Sequence, residues 1–147
     1  MKELTETQKA WLAGIIDGEG YIGIVQQPRK DTDKKFNYTL VVKVASTDAE
    51  MIPTCFEWTG IGNVGYKESK NPKWADARTW QIANRQAKYF LEAIEPYLIV
   101  KKNQARVALE FHGCKKHWHH ATESDLFRQY EYFIMLKDLK NTLVKSI

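Results

Sequence analysis

The chain has 147 residues, of which 44% are apolar, 12% aromatic and 27% charged, a length that fits one domain with a sizeable core and excludes a stapled mini-protein. Two cysteines without CxxC spacing, four prolines and eight glycines exclude a disulfide framework and a low-complexity chain, and no apolar run approaches the roughly 20 residues of a spanning helix. Met1–Glu6 carries acids and no apolar stretch, so the expectation is a soluble, intracellular protein with a single domain over residues 1–147 and no membrane partner.

In chain order, Thr5 and Gln8 have capping-box spacing and open a helix from Thr7 to about Gly18, stopped by Gly20. Tyr21–Gln27 alternates, with Ile22 and Ile24 on one face and Gly23, Val25 and Gln27 on the other. Residues 27–33 form a polar turn, and Tyr38–Ser46 alternates again, Leu40, Val42 and Val44 opposite Thr39, Val41 and Lys43. Asp48 caps a short helix through about Trp58, which Gly60-Ile61-Gly62 breaks. Val64 and Tyr66 alternate with Gly65 and Lys67, Lys70–Lys73 turns, and Thr79–Ala83 sends Trp80 and Ile82 inward and Thr79 and Gln81 outward. Arg85–Ile94 and Lys101–Phe111 have helical spacing, and a final helix capped by Ser124 runs to about Asn141. The order α-ββ-α-ββ-α-α-α predicts an α+β fold: an antiparallel sheet with one apolar face covered by helices.

The net charge is +4 at pH 7, and its distribution is uneven. Residues 26–43 hold Arg29, Lys30, Lys34, Lys35 and Lys43 against Asp31 and Asp33, leaving +3; residues 66–88 hold six cations, among them Lys67, Lys70 and Arg78, against two acids, leaving +4. The rest of the chain is therefore −3. Two basic β-ribbons in one small domain suit a nucleic-acid groove. Gln27, Arg29, Asn37, Thr39, Lys43, Lys67, Thr79 and Gln81 supply hydrogen-bonding side chains to the polar sheet face, suited to base edges and phosphates.

Leu12-Ala13-Gly14-Ile15-Ile16-Asp17-Gly18-Glu19-Gly20 is a costly way to end a helix. An interior glycine costs about 1 kcal/mol of helix propensity, and the macrodipole disfavours acids at the carboxyl end. Gly14 and Gly18 lie four apart on one face, which allows another backbone to approach closely, by analogy with small-xxx-small membrane helices. The motif occurs once. In a symmetric dimer two Glu19 carboxylates would meet near the two-fold axis, and at about 5 Å their repulsion would be about 3 kcal/mol. A divalent cation removes it, and hard oxygen ligands suit Mg²⁺.

Leu12–Gly20 closely resembles the nonapeptide of the LAGLIDADG homing endonucleases, with Ile15, Gly18 and Glu19 as the main conservative departures. The resemblance covers roughly residues 7–112: Val44–Asp48, Gly60–Val64 and Pro96–Ala105 resemble further family segments in the same order. The family core is α-ββ-α-ββ-α. The resemblance implies a homodimer joined through the motif helices at Leu12, Ala13, Gly14, Asp17 and Gly18, with two sheets saddling a long, near-palindromic double-stranded DNA site. It implies intron homing by a staggered double-strand break, with Glu19 and the Gly18 carbonyl as metal ligands and Lys101 as the basic residue near the scissile phosphate. The implied cofactor is Mg²⁺, with Mn²⁺ or Ca²⁺ able to occupy the same site, and there is no small-molecule substrate. Lys30, Lys34, Lys35 and Lys70 join the sheet residues and Arg78 as DNA-binding candidates. Asp17 reads as structural rather than metal-binding. Where some relatives carry a glutamine and a second basic residue, an ungapped alignment puts Ser46 and Glu50.

Two other readings share the fold: a DNA-binding protein that does not cut, and an RNA maturase. His112, Cys114, His117, His119 and His120 cluster without finger spacing, and read as a basic, aromatic-containing loop rather than a zinc site. Trp74 is the one tryptophan in a hairpin turn, and the candidate for stacking against DNA.

Overall fold

The computed structural model describes residues 1–30, 36–116 and 120–145. The elements are α1 (Glu6–Glu19), β1 (Gly20–Pro28), β2 (Phe36–Ser46), α2 (Met51–Thr59), β3 (Asn63–Lys67), β4 (Ala77–Ala83), α3 (Asn84–Ile94), a single 3₁₀ turn (Glu95–Tyr97), α4 (Lys102–Cys114) and α5 (Glu123–Lys145). The expected α+β architecture and element order are present. All strand pairs are antiparallel, in the order β1-β2-β4-β3.

Local chemistry accounts for the boundaries. The Thr5 hydroxyl accepts from Gln8 N at 3.1 Å while the Gln8 side chain accepts from Thr5 N at 3.0 Å, closing the expected capping box, and α1 starts at Glu6, one residue before the expected Thr7. The Asp48 carboxylate accepts from Glu50 N and Met51 N, both at 2.9 Å, and these bonds hold its pKa below the ordinary value. Gly60 ends α2 in the left-handed conformation. The last helix departs from expectation: Thr122, not Ser124, supplies the cap. The Thr122 hydroxyl accepts from Asp125 N at 3.1 Å and the Asp125 carboxylate accepts from Thr122 N at 3.0 Å. Ser124 lies inside the helix, which continues past Asn141.

The sheet's inner face carries Ile22, Ile24, Tyr38, Leu40, Val42, Val44, Trp80 and Ile82, all buried against Leu12, Ile16, Phe90, Leu91, Ile94 and Phe111 of the helices. Ile22 pairs with Val42, and Val42 with Ile82, so one apolar row crosses three strands. The indole of Trp80 donates to the Ile61 carbonyl at 2.9 Å, so its one polar atom is satisfied. Gly62 is obligatory beside it, because a Cβ would stand 2.7 Å from both Ile82 and Trp80. β3 is an edge strand, and its Val64 and Tyr66 remain exposed. Among the described residues no helix is long and apolar enough to cross a membrane.

Candidate nucleic-acid interface and the tip of the first helix

The sheet's other face follows from pleat parity. Tyr21 of β1 stands opposite Lys43 of β2, Lys43 opposite Gln81 of β4, and Gln81 opposite Asn63 of β3, so one polar row crosses all four strands. Gln27 faces Asn37, Val25 faces Thr39, and Thr79 lies between Ala45 and Gly65. Tyr21, Val25, Gln27, Thr39, Val41, Lys43 and Gln81 line a shallow hollow of about 590 Å³. The side chains Gln27, Asn37, Thr39, Lys43, Lys67, Thr79 and Gln81 thus share one face, as the alternation predicts. Arg29 and Lys30 follow at the far end of β1. Lys34 and Lys35 lie outside the described residues. Arg78 is a correction: its register partners are Ser46 and Tyr66, on the opposite face, and its guanidinium donates to the Ala49 carbonyl at 2.8 Å.

The loop between β3 and β4 is built around Asp76. Its carboxylate accepts from the Tyr66 hydroxyl and from Ser69 N, the latter at 2.7 Å. The Ser69 hydroxyl donates to the Asn71 carbonyl at 2.9 Å, and that carbonyl also accepts from Trp74 N at 2.9 Å. These bonds depress the pKa of Asp76 and raise that of Tyr66. They present Trp74, 69% exposed, beside Lys67, Lys70 and Lys73 around a hollow of about 730 Å³.

The second focus is the carboxyl end of α1. Gly20 carries the chain from helix to strand so tightly that a Cβ would lie 2.7 Å from Ile16 Cα and 2.8 Å from its carbonyl oxygen. The Asp17 carboxylate accepts from Ile99 N at 2.8 Å and from Lys101 N at 2.9 Å. In return Lys101 Nζ donates to the carbonyls of Ile16 and Asp17, at 2.8 and 3.0 Å. A cation therefore closes the negative end of the helix. Burial lowers the Lys101 pKa, and the Asp17 and Glu19 carboxylates oppose that shift. Both oxygens of the Asp17 carboxylate are thus bonded within the chain. Glu19, one residue beyond Gly18, is exposed and makes no hydrogen bond or ion pair among the described residues. A free carboxylate and a helix-end carbonyl are hard oxygen donors of the kind Mg²⁺ or Ca²⁺ accepts. One chain supplies too few of them: among the described residues no three His, Cys, Asp or Glu side chains gather to hold a metal ion. His117, Trp118 and His119 lie outside the described residues.

The expected dimer face divides. Leu12 and Ala13 point into this chain's own core, with 1% and 0% exposure, so their side chains are not available to a partner. That is a correction of helix phase: Leu12, Ala13 and Ile16 form the inward stripe of α1. Gly14 and Gly18 lie on the outward side, and a Cβ at either meets nothing within 4 Å. Ile99, 84% exposed, and Val100 stand beside this tip on the segment that Asp17 anchors. Sequence reading missed both, although two successive apolar residues in a loop were a visible signal. Ser46 and Glu50 supply nothing basic here: the Ser46 hydroxyl accepts from Asp48 N, and Glu50 heads α2.

No family model and no curated protein matches the chain by sequence. Solved structures do match in shape. The homing endonuclease I-CvuI in complex with its target superposes with a TM-score of 0.76 at 21% identity, over 90% of this chain and 82% of that one. The archaeal intron-encoded homing endonuclease I-Vdi141I complexed with DNA gives 0.75 at 18% identity, over 91% and 84%. The meganuclease I-SmaMI bound to uncleavable DNA gives 0.70 at 17% identity, over 85% of this chain but only 43% of that one. The chain therefore has the LAGLIDADG homing-endonuclease fold.

Proposed function

We propose that the protein is a homodimeric, divalent-metal-dependent, site-specific DNA endonuclease. The observation that carries this reading is the free Glu19 carboxylate at the end of a glycine-faced helix, beside Lys101 and at the margin of a polar, hydrogen-bonding sheet face. Gly14 and Gly18 weaken α1 at about 1 kcal/mol each, yet nothing among the described residues requires their lack of a side chain. A second copy of α1 crossing at close range gives them a reason, and it brings a second Glu19 to the axis. The coverage figures agree: the chain spans most of I-CvuI and under half of I-SmaMI.

In this reading the row Lys43–Gln81 and the pair Gln27–Asn37 face base edges and phosphates in the major groove. The hairpin loop with Lys67, Lys70 and Trp74 extends the same surface. Glu19 and the Gly18 carbonyl would hold the ion. A bound divalent ion neutralises charge developing on the phosphate and acidifies water. Lys101, fixed by two carbonyls, adds positive charge beside the scissile phosphate without reorganising. No side-chain nucleophile is needed.

The test is to incubate the protein and Glu19→Gln with a randomised DNA-site library and Mg²⁺, then sequence the cut ends. Recurrent ends with a near-palindromic consensus, absent with Glu19→Gln, support the reading. Tight, salt-sensitive binding by both proteins with no cutting by either would replace it with a DNA-binding protein that does not cleave.

A further inference from the structure

The chain carries a second cation near the tip of α1, on an element the endonuclease reading does not use. Lys140, near the carboxyl end of α5, places its Nζ 3.8 Å from the centre of the Tyr21 ring. Tyr21, the second residue of β1, stands two residues after Glu19 and belongs to the polar row with Lys43 and Gln81. Its ring lies along that face across Gly23, where a Cβ would collide with the Tyr21 ring and hydroxyl. Glycine at position 23 thus leaves room for the ring, and the ring gives the Lys140 ammonium a surface to rest on.

We propose that Lys140, seated on Tyr21, contacts a backbone phosphate of bound DNA beside the one addressed by Lys101. Three observations carry this. Lys140 is half-buried, and among the described residues no carboxylate pairs with it. It is near enough to Lys101 for the two ammonium groups to repel; burial and that repulsion together push it down to about 8. Asp17 and Glu19 act on Lys101, whereas among the described residues no carboxylate offsets Lys140, so the Lys140 charge remains to attract an anion. The surface they border is also the face that Tyr21, Gln27, Thr39, Lys43 and Gln81 present to nucleic acid in the reading above. The assignment rests on that reading. Tyr21 is a positioning residue: it holds the ammonium in place without touching phosphate.

Three measurements test it. With a labelled duplex carrying the selected target and Ca²⁺ in place of Mg²⁺, affinity is followed between roughly 50 and 200 mM salt. Lys140→Met should flatten the slope of log K against log salt by about one per subunit, and Lys140→Arg should restore it. At saturating protein with Mg²⁺, Lys140→Met should slow single-turnover cleavage about tenfold or more. Tyr21→Leu should slow it too while keeping the wild-type salt slope, because the charge remains but is no longer seated. Third, lysine acetylation of the wild-type protein read by mass spectrometry should find Lys140 protected by duplex, and this does not depend on any variant folding. A wild-type slope and rate in Lys140→Met, or equal acetylation of Lys140 with and without duplex, overturns the assignment. If the wild-type protein binds duplex but never cuts with Mg²⁺ or Mn²⁺, the endonuclease reading fails, and the salt slopes and acetylation pattern still decide Lys140. If it binds no duplex, both fail.

Discussion

Lys101 donates two hydrogen bonds to Asp17: its backbone N–H reaches the Asp17 carboxylate at 2.9 Å, and its ammonium reaches the Asp17 carbonyl at 3.0 Å. The pair joins residues 84 positions apart in sequence and fixes the segment before α4 onto the end of α1. Asp17 also accepts from Ile99 N at 2.8 Å, so Asp17→Ala strips two backbone donors of their partner. Loss of a charged acceptor costs roughly 1.5–3 kcal/mol, and urea unfolding should show a loss of about that size. Asp17→Asn turns an amide donor toward one of the two N–H groups and should lose stability as well. Unchanged stability in both variants would refute the clamp.

The outward side of α1 separates folding from assembly. A Cβ at Gly14 meets nothing within 4 Å, so Gly14→Leu should keep the helical circular-dichroism signal of the wild type. A second α1 at close range has no room for that side chain, so sedimentation should show a dimer for the wild type and a monomer for Gly14→Leu. Ile99→Asp puts a charge where an 84% exposed apolar side chain stands beside the same tip, and should weaken the dimer while leaving the single chain folded. A dimer of undiminished affinity in both variants would mean that the copies, if they pair, do so elsewhere.

The period-2 alternation of β1, β2 and β4 was enough to sort inner from outer face, because a strand buried on one side must alternate. Arg78 broke that reasoning: the parity of Trp80 and Ile82 already put it on the inner face, and the count of basic residues overrode the pleat. Helix phase was weaker. Leu12 and Ala13 share the motif with Gly14 and Gly18 but sit about 100–200° away around the axis, and only packing decides which stripe turns inward. Lys140 carried no sequence signal, since its neighbourhood is made by residues some 120 and 40 positions away, Tyr21 and Lys101. Serine is the stronger N-cap by type, which favours Ser124, but Asp125 stands three residues after Thr122 and closes a reciprocal pair with it.

The hairpin loop makes a separable prediction. Trp74 is 69% exposed and contributes little to the core, so Trp74→Ala should leave the unfolding midpoint within a fraction of a kcal/mol. If the ring packs on DNA, stacking loss of roughly 1–3 kcal/mol corresponds to about 5–150-fold weaker binding. Asp76→Ala removes the acceptor for Tyr66 and Ser69, and should weaken binding by loosening the loop with Trp74 intact. Fluorescence anisotropy on the selected duplex reads both, and wild-type affinity in Trp74→Ala would remove the loop from the interface.

His112 sets a pH dependence whose sign follows from its surroundings. Burial first, then the charges of Lys115, Lys88 and Arg85, push its pKa below the ordinary 6.5. Its Nδ1 is buried without a hydrogen-bond partner among the described residues. Below 6.5 the unfolded chain therefore takes up a proton that the folded chain resists. The stability associated with neutral His112 is complete above that ordinary value and is lost as pH falls through the lower folded one. The depressed carboxylates Asp48, Asp76 and Asp125 act below their ordinary 3.8, so their contribution is separated in pH. Urea midpoints measured between about pH 7 and pH 5 should fall for the wild type and fall less for His112→Leu. An equal fall in both would assign the acid sensitivity to other groups and leave His112 without a part in it.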